Sequence, residues 1–185
     1  MRQKNTGFGI SQTALKYIAV VAMTMNHVAR AFMNPNTVIC NVFIWVGLIA
    51  APIMCYCAVQ GYHYTTRLRE YLIRLLICGV AAQIPYLLAF NIIQLNVIFT
   101  LMICIGVLWV KDHLDGWRKW VLLAAGIALS SICDWGILLP IFALLVDYTM
   151  PPAMPDKAGR AQQLFFYIYY PAHLAVICII KAVIR

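Results

Sequence analysis

The stretch VICNVFIWVGLIAAPIMCYCAVQGY, residues 38–62, decides the fold, because none of its 25 positions is charged. As a helix it would be roughly 37 Å long, more than the ~30 Å hydrocarbon core of a bilayer. A soluble helix of that length needs a polar face, and this one has none. Outward from it, apolar runs continue at 14–33, 70–90, 92–110, 119–134, 136–150 and 163–183. The sixth of the seven is short, bounded by Gly136 and by Met150-Pro151-Pro152, so it either tilts little or continues the fifth after a break at Asp134-Trp135-Gly136. The pattern predicts an all-α, polytopic integral membrane bundle of about seven transmembrane helices, one domain over residues 1–185.

Composition agrees. The 185 residues are 64% hydrophobic and 11% charged, where a soluble domain carries about a quarter charged. The net charge of +8 does not point to nucleic acid, because the basic residues fall mostly in gaps between apolar runs. Arg2, Lys4, Lys16, Arg67, Arg69, Arg74, Lys111, Arg118, Lys119, Lys157 and Arg160 share one face of a seven-span protein, against Arg30, Lys181 and Arg185 on the other. That excess predicts a cytoplasmic amino terminus. The polar start, Met1 to Gln12, has no cleavage pattern and reads as retained. Seven cysteines lie in or at the ends of apolar runs with no CxxC pair, so they read as small packing residues.

Each charged group at mid-bilayer costs ~2.5–3.5 kcal/mol on insertion scales, so the few present need a reason. Asn26, His27 and Arg30 in the first run are three or four residues apart and can share a helical face. The alternative is an Arg30 that snorkels to the headgroups beside a histidine making one interhelical hydrogen bond. In the last run, His173 follows Tyr169 and Tyr170 by four and three positions. Pro171 frees a backbone carbonyl there, a device common where a membrane helix lines a cavity. An aromatic belt would explain the tyrosines, but belts belong at interfaces and His173 is mid-run. Gln83 beside Pro85, Asn96 and Asp134 are further candidates for the same cavity. His63 and His113 fall at run ends and read as solvated, and Gly47 and Pro52 as packing or a kink. Two imidazoles at lipid depth suit proton transfer to or from a reacting group. No GxSxG, HExxH, P-loop or GxGxxG is present, which argues against serine hydrolases, zincins and nucleotide-driven chemistry.

Read in order, these residues resemble the TraX family of conjugative-pilus proteins along nearly the whole chain. The first-run motif is similar to Met23-Thr24-Met25-Asn26-His27-Val28-Ala29-Arg30. The second resembles Gly47-Leu48-Ile49-Ala50-Ala51-Pro52 with Gly61, and the third Ala82-Gln83-Ile84-Pro85-Tyr86. Asn96-Val97-Ile98-Phe99, Asp134-Trp135-Gly136 and Phe166-Tyr167 through Tyr170, His173 and Leu174 complete the series.

The resemblance implies an acetyltransferase of a bacterial inner membrane, related to wider transmembrane acyltransferases. Its donor would be acetyl-CoA and its acceptor the amino-terminal amine of a pilin subunit. On that reading His27 is the general base or transient acyl carrier, oriented by Asn26, with His173 as the second catalytic residue. Arg30, Gln83, Asn96, Asp134 and Tyr170 would bind substrate, and no metal is called for. Arg67, Arg69, Arg74, Lys111, Arg118 and Lys119 would hold the CoA phosphates.

Two positions depart from the family pattern: Asn26 stands where aspartate is expected, and Leu48 where arginine is expected. Losing one charge would strand its partner in lipid, so the paired absence reads as a natural variant. Competing readings are acetylation of a glycan or lipid headgroup, a non-enzymatic pilus chaperone and, third, a transporter, which the lack of repeated halves disfavours.

Overall fold

The computed structural model describes residues 11–150 and 159–184. The polar start, most of the Pro-rich loop, and Arg2, Lys4, Lys157 and Arg185 among the charges counted for orientation lie outside the described residues. The helices are α1 (Gln12–Phe32), α2 (Val38–Gly47), α3 (Ala50–Tyr64), α4 (Leu68–Phe90), α5 (Val97–His113), α6 (Gly116–Leu129), α7 (Leu138–Thr149) and α8 (Arg160–Ile184), with a 3₁₀ turn at Ser130–Ile132. Among the described residues there is no strand, only an isolated bridge between Leu95 and Cys133.

Local chemistry sets the boundaries. Ser11, Thr37 and Asn96 accept the backbone N–H of Ala14, Cys40 and Ile98 and so start α1, α2 and α5. Asn91, left-handed at φ 53°, ends α4. The long apolar stretch is divided at Leu48–Ile49. Pro52 has no N–H to offer the Leu48 carbonyl four residues back, and its ring crowds that oxygen.

Three helical stretches are long and apolar enough to cross a membrane: Val38–Tyr64, Leu68–Phe90 and Ala161–Ile184. This corrects the expectation of about seven. The helices α5, α6 and α7 have 17, 14 and 12 residues, and α1, with 21, carries Lys16, Asn26, His27 and Arg30. Apolar runs overcount because they continue through turns: Ile92 and Ile93 before α5, and Ile132 and Cys133 after α6, are apolar but not α-helical.

The surface is inverted relative to a soluble protein. Val38, Trp45, Ile77, Ile84 and Val183 are mostly exposed, while the core is rich in small residues such as Ala51, Cys55, Ala58, Cys78, Ala82, Cys104 and Ala143. Lipid satisfies the outer face, and small residues let helix backbones approach. At Gly47 a Cβ would stand 2.2 Å from Asn26 Cβ and 2.8 Å from the Ala22 oxygen, so only glycine lets α2 meet α1 there. All seven cysteines are free, and six are buried. Cys78 also donates its thiol to the Tyr167 carbonyl at 3.2 Å, the oxygen that Pro171 leaves without its helical N–H partner.

Candidate functional site

The helices α1 and α8 bring His27 and His173 together. His27 Nδ1 is 2.8 Å from His173 Nε2. The ring planes are within 3° with centroids 5.1 Å apart. With the nitrogens so much closer than the centroids, the rings meet edge to edge in one plane, which is hydrogen-bond geometry and not face stacking. His173 Nδ1 lies 2.9 Å from the Tyr169 carbonyl, and a carbonyl only accepts. The proton on His173 is therefore on Nδ1, and its Nε2 lone pair accepts the Nδ1–H of His27. His27 Nε2 is left with the available lone pair. One turn toward the start of both helices, the Thr24 and Tyr169 hydroxyls bond at 2.7 Å and hold the register.

His27 is 6% exposed and lines a cavity of about 800 Å³. The cavity follows α1 from Gln12 and Lys16 to Arg30. Lys16 and Arg74 line one end with Tyr71, Tyr167 and Gln163; Arg30, Asp134 and Trp135 line the other. Neither Lys16 nor Arg74 joins an ion pair among the described residues. Phe90 lies between His27 and Arg30, with its ring 5.1 Å from the imidazole and 5.1 Å beneath the guanidinium. On its other side His173 faces a second, apolar groove of about 670 Å³, lined by Val28, Phe32, Val176, Ile180 and Ile184 among others. The histidine pair is thus a wall between a cavity that holds charged side chains and an apolar groove.

The other expected site residues divide. Tyr170, Arg30 and Asp134 line the cavity. Asn26 also does, but it does not orient His27: its Nδ2 donates to the Ile44 carbonyl at 3.1 Å. Adjacent residues on a helix diverge by about 100°, so neighbours in sequence are not neighbours in contact. Gln83 and Asn96 do not line it. Asn96 is fully buried and donates to the Gly79 carbonyl and to Gln83 Oε1 at 2.8 and 2.9 Å, while Gln83 donates to the Gln94 carbonyl at 2.7 Å. They fasten the turn between α4 and α5.

Of the six cations expected to hold phosphates, only Arg74 lines the cavity. Arg67 pairs with Glu70 at 3.1 Å, Lys111 is held by Asp112 and Asp147, Arg118 lies over Trp117, and Arg69 is exposed. Lys119 does not line it either. Lys16 was legible only as a charge, although it precedes His27 by eleven residues, three turns, and so shares its face.

His63 is not simply solvated. It bonds Asp147 Oδ1, whose other oxygen takes Lys111, and Lys111 reaches Asp112, which accepts from Tyr62 at 2.9 Å. His113 lies against Trp109 with ring centroids 4.8 Å apart.

The family model described as "TraX protein" matches residues 11–132. The chain belongs to the TraX family. The match includes His27 and ends short of Asp134 and His173. A relative, "Probable fimbrial assembly protein FimC, serogroup H1" of Dichelobacter nodosus, is 32% identical over 161 residues, which is 80% of this chain and 65% of the relative. The chain therefore spans just under two thirds of that relative's length. No solved structure matches. Against the TraX pattern, Asn26 and Leu48 line the same cavity, and the Asn26 amide donates where an aspartate could only face a carbonyl oxygen.

Proposed function

We propose that this protein is a membrane acetyltransferase acting in pilus assembly. It takes acetyl-CoA from the cytoplasmic side and acetylates the amino-terminal amine of a pilin subunit. TraX membership and the fimbrial assembly relative support the pilus setting. The observation that carries the chemistry is the His27–His173 pair in the wall of a cavity with two cations at one end.

Lys16 and Arg74 take the CoA phosphates in place of the larger cation set, which leaves the thioester to extend toward His27. The neutral Nε2 of His27 removes a proton from the acceptor ammonium. The amine nitrogen attacks the thioester carbonyl carbon, the carbon–sulfur bond breaks, and the thiolate takes a proton. The products are an acetamide, CoA and one released proton. His173, fixed by the Tyr169 carbonyl, holds the His27 tautomer that makes Nε2 the base, the role a carboxylate has in other histidine sites.

Acetylation of a glycan or lipid headgroup uses the same pair and differs only in the acceptor. A chaperone would need a seat for a partner helix. Such a seat would be the apolar α1–α8 groove, and it would leave the cavity beside the paired imidazoles without a role. Mass spectrometry of pilin, glycan and lipid after incubation with labelled acetyl-CoA and the reconstituted protein tests the reading. A gain of one acetyl group on the pilin amino terminus is expected. Absence of labelled acceptor together with absence of CoA binding would overturn it.

A further inference from the structure

Asp134 stands on a turn that is tied down from several sides. Its N–H donates to the Leu95 carbonyl at 2.7 Å, and Leu95 N–H donates to the Ile132 carbonyl at 3.1 Å. Its own carbonyl takes the Thr100 hydroxyl at 2.6 Å. The carboxylate accepts the Trp135 N–H at 3.1 Å, and Trp135 and Gly136 follow in left-handed conformations at φ 68° and 50°. A left-handed tryptophan is costly and persists only where its surroundings enforce it. Gln83 and Asn96 brace the strand of chain that carries Leu95, so they act through this turn. The result is a carboxylate held on the cavity wall with no ion-pair partner among the described residues.

A second observation points to a ligand at this end. The Tyr170 hydroxyl is buried and belongs to a cavity-lining residue that is 6% exposed; it has the Val97 backbone near it but no side-chain partner among the described residues. The Tyr86 hydroxyl is also buried and turns toward the Asp134 carboxylate. Buried hydroxyls left unpaired cost about 1–3 kcal/mol each unless something completes them. Arg30, which lines the same cavity, rests on Phe90. An anion, a cation and the Tyr170 hydroxyl around one opening suit a dipolar group: an ammonium beside a carbonyl.

We propose that Asp134 is the specificity-determining residue of the acceptor end, holding a primary ammonium while Arg30 takes the adjacent carbonyl and Tyr170 completes the contact. The site therefore selects amine acceptors over hydroxyl acceptors. The assignment rests on the amine acceptor of the proposed reaction, but its test needs neither CoA nor turnover.

The probes are an apolar peptide with a free amino terminus and the same peptide with hydroxyl in place of that amine. Their dissociation constants are measured against the full chain in nanodiscs. The wild type should prefer the amine by about 10- to 100-fold, the range of one charge-assisted contact. Asp134→Asn keeps an oxygen for the Trp135 N–H, so the turn survives, and should bind both peptides alike. Thr100→Val cuts one strap, leaves the carboxylate in place, and should lose amine affinity several-fold while hydroxyl affinity holds. A wild type that binds both peptides equally, or an Asp134→Asn protein that keeps the amine preference, overturns the proposal. An amine preference in a protein that never transfers acetyl leaves the anchor standing and removes the transferase.

Discussion

His27 and His63 meet opposite surroundings in one bundle. His63, at the end of α3, finds a carboxylate. Asp147 is nearly buried and takes both His63 and Lys111, and Asp112 and Tyr62 close the ring of contacts. Each polar group there has a partner, and the partners come from α3, α5 and α7. His27 finds no carboxylate partner among the described residues. Its hydrogen-bond partner among the described residues is another imidazole, and its second nitrogen belongs to a cavity-lining residue. A closed network fixes helices to one another; an imidazole left with a lone pair beside a cavity can take a proton from what enters.

The comparison breaks most directly at His27. His27→Ala should lower acetyl transfer by ~10²–10⁴ while leaving CoA binding intact. His173→Ala should do nearly the same, and the double variant should be little worse than either, since the two act as a unit. Transfer assays with parallel binding isotherms read both.

At the other network the effect should fall on stability. Asp147→Asn leaves Lys111 and His63 without their shared anion and should cost about 3 kcal/mol, measured by denaturation of the purified protein in detergent, with per-molecule transfer by the folded fraction unchanged. A large drop in that transfer would erase the distinction between the two regions.

The cations sharpen it next. Lys16→Gln and Arg74→Gln should each raise the CoA dissociation constant about tenfold and flatten its salt dependence. Arg118→Gln and Lys119→Gln should leave both within about twofold.

The smallest effect is on pH dependence. Partial burial pushes the Asp112 carboxyl up, but Lys111 and Tyr62 outweigh it and hold it below its usual range. Burial likewise lowers Lys111, and Asp147 and Asp112 more than reverse that. The Asp112 contribution is therefore full above the unfolded value of about 3.9 and lost as pH falls through the depressed one. The Lys111 contribution is full below about 10.4 and lost as pH rises through the raised one. Stability curves for Asp112→Asn and wild type should run parallel at neutral pH and converge in acid. Curves that stay parallel down to pH 2 would remove Asp112 from the network.

Much of this was legible in the chain. The meeting of His27 and His173 follows from register: both lie a similar distance up helices that run the same way, and each is an isolated imidazole in an apolar run. The role of Asn26 was not legible, because its partner is a backbone oxygen of α2 that depends on how closely Gly47 lets that helix approach. Gln83 and Asn96 were visible as polar residues at depth, but whether an amide faces a cavity or a turn is decided by where its neighbours' carbonyls point. The cations failed for a similar reason. Which lysine is already spoken for depends on Asp147, a lone acid whose position opposite Lys111 comes from packing. The span count failed because hydropathy does not register where a helix stops.

The cavity also has an electrical meaning. From Lys16 to Arg30 it follows α1 for about 21 Å at 1.5 Å per residue, out of a hydrocarbon core of ~30 Å. Where water fills such a recess, the transmembrane voltage is compressed into the thin layer that remains closed. One elementary charge crossing 100 mV gains about 2.3 kcal/mol. In the proposed reaction, passing a neutral acetyl group along the recess would move no charge, but the proton released with each transfer would. Under that proposal, the direction in which His27 discharges the proton would set whether the membrane potential drives the reaction or opposes it.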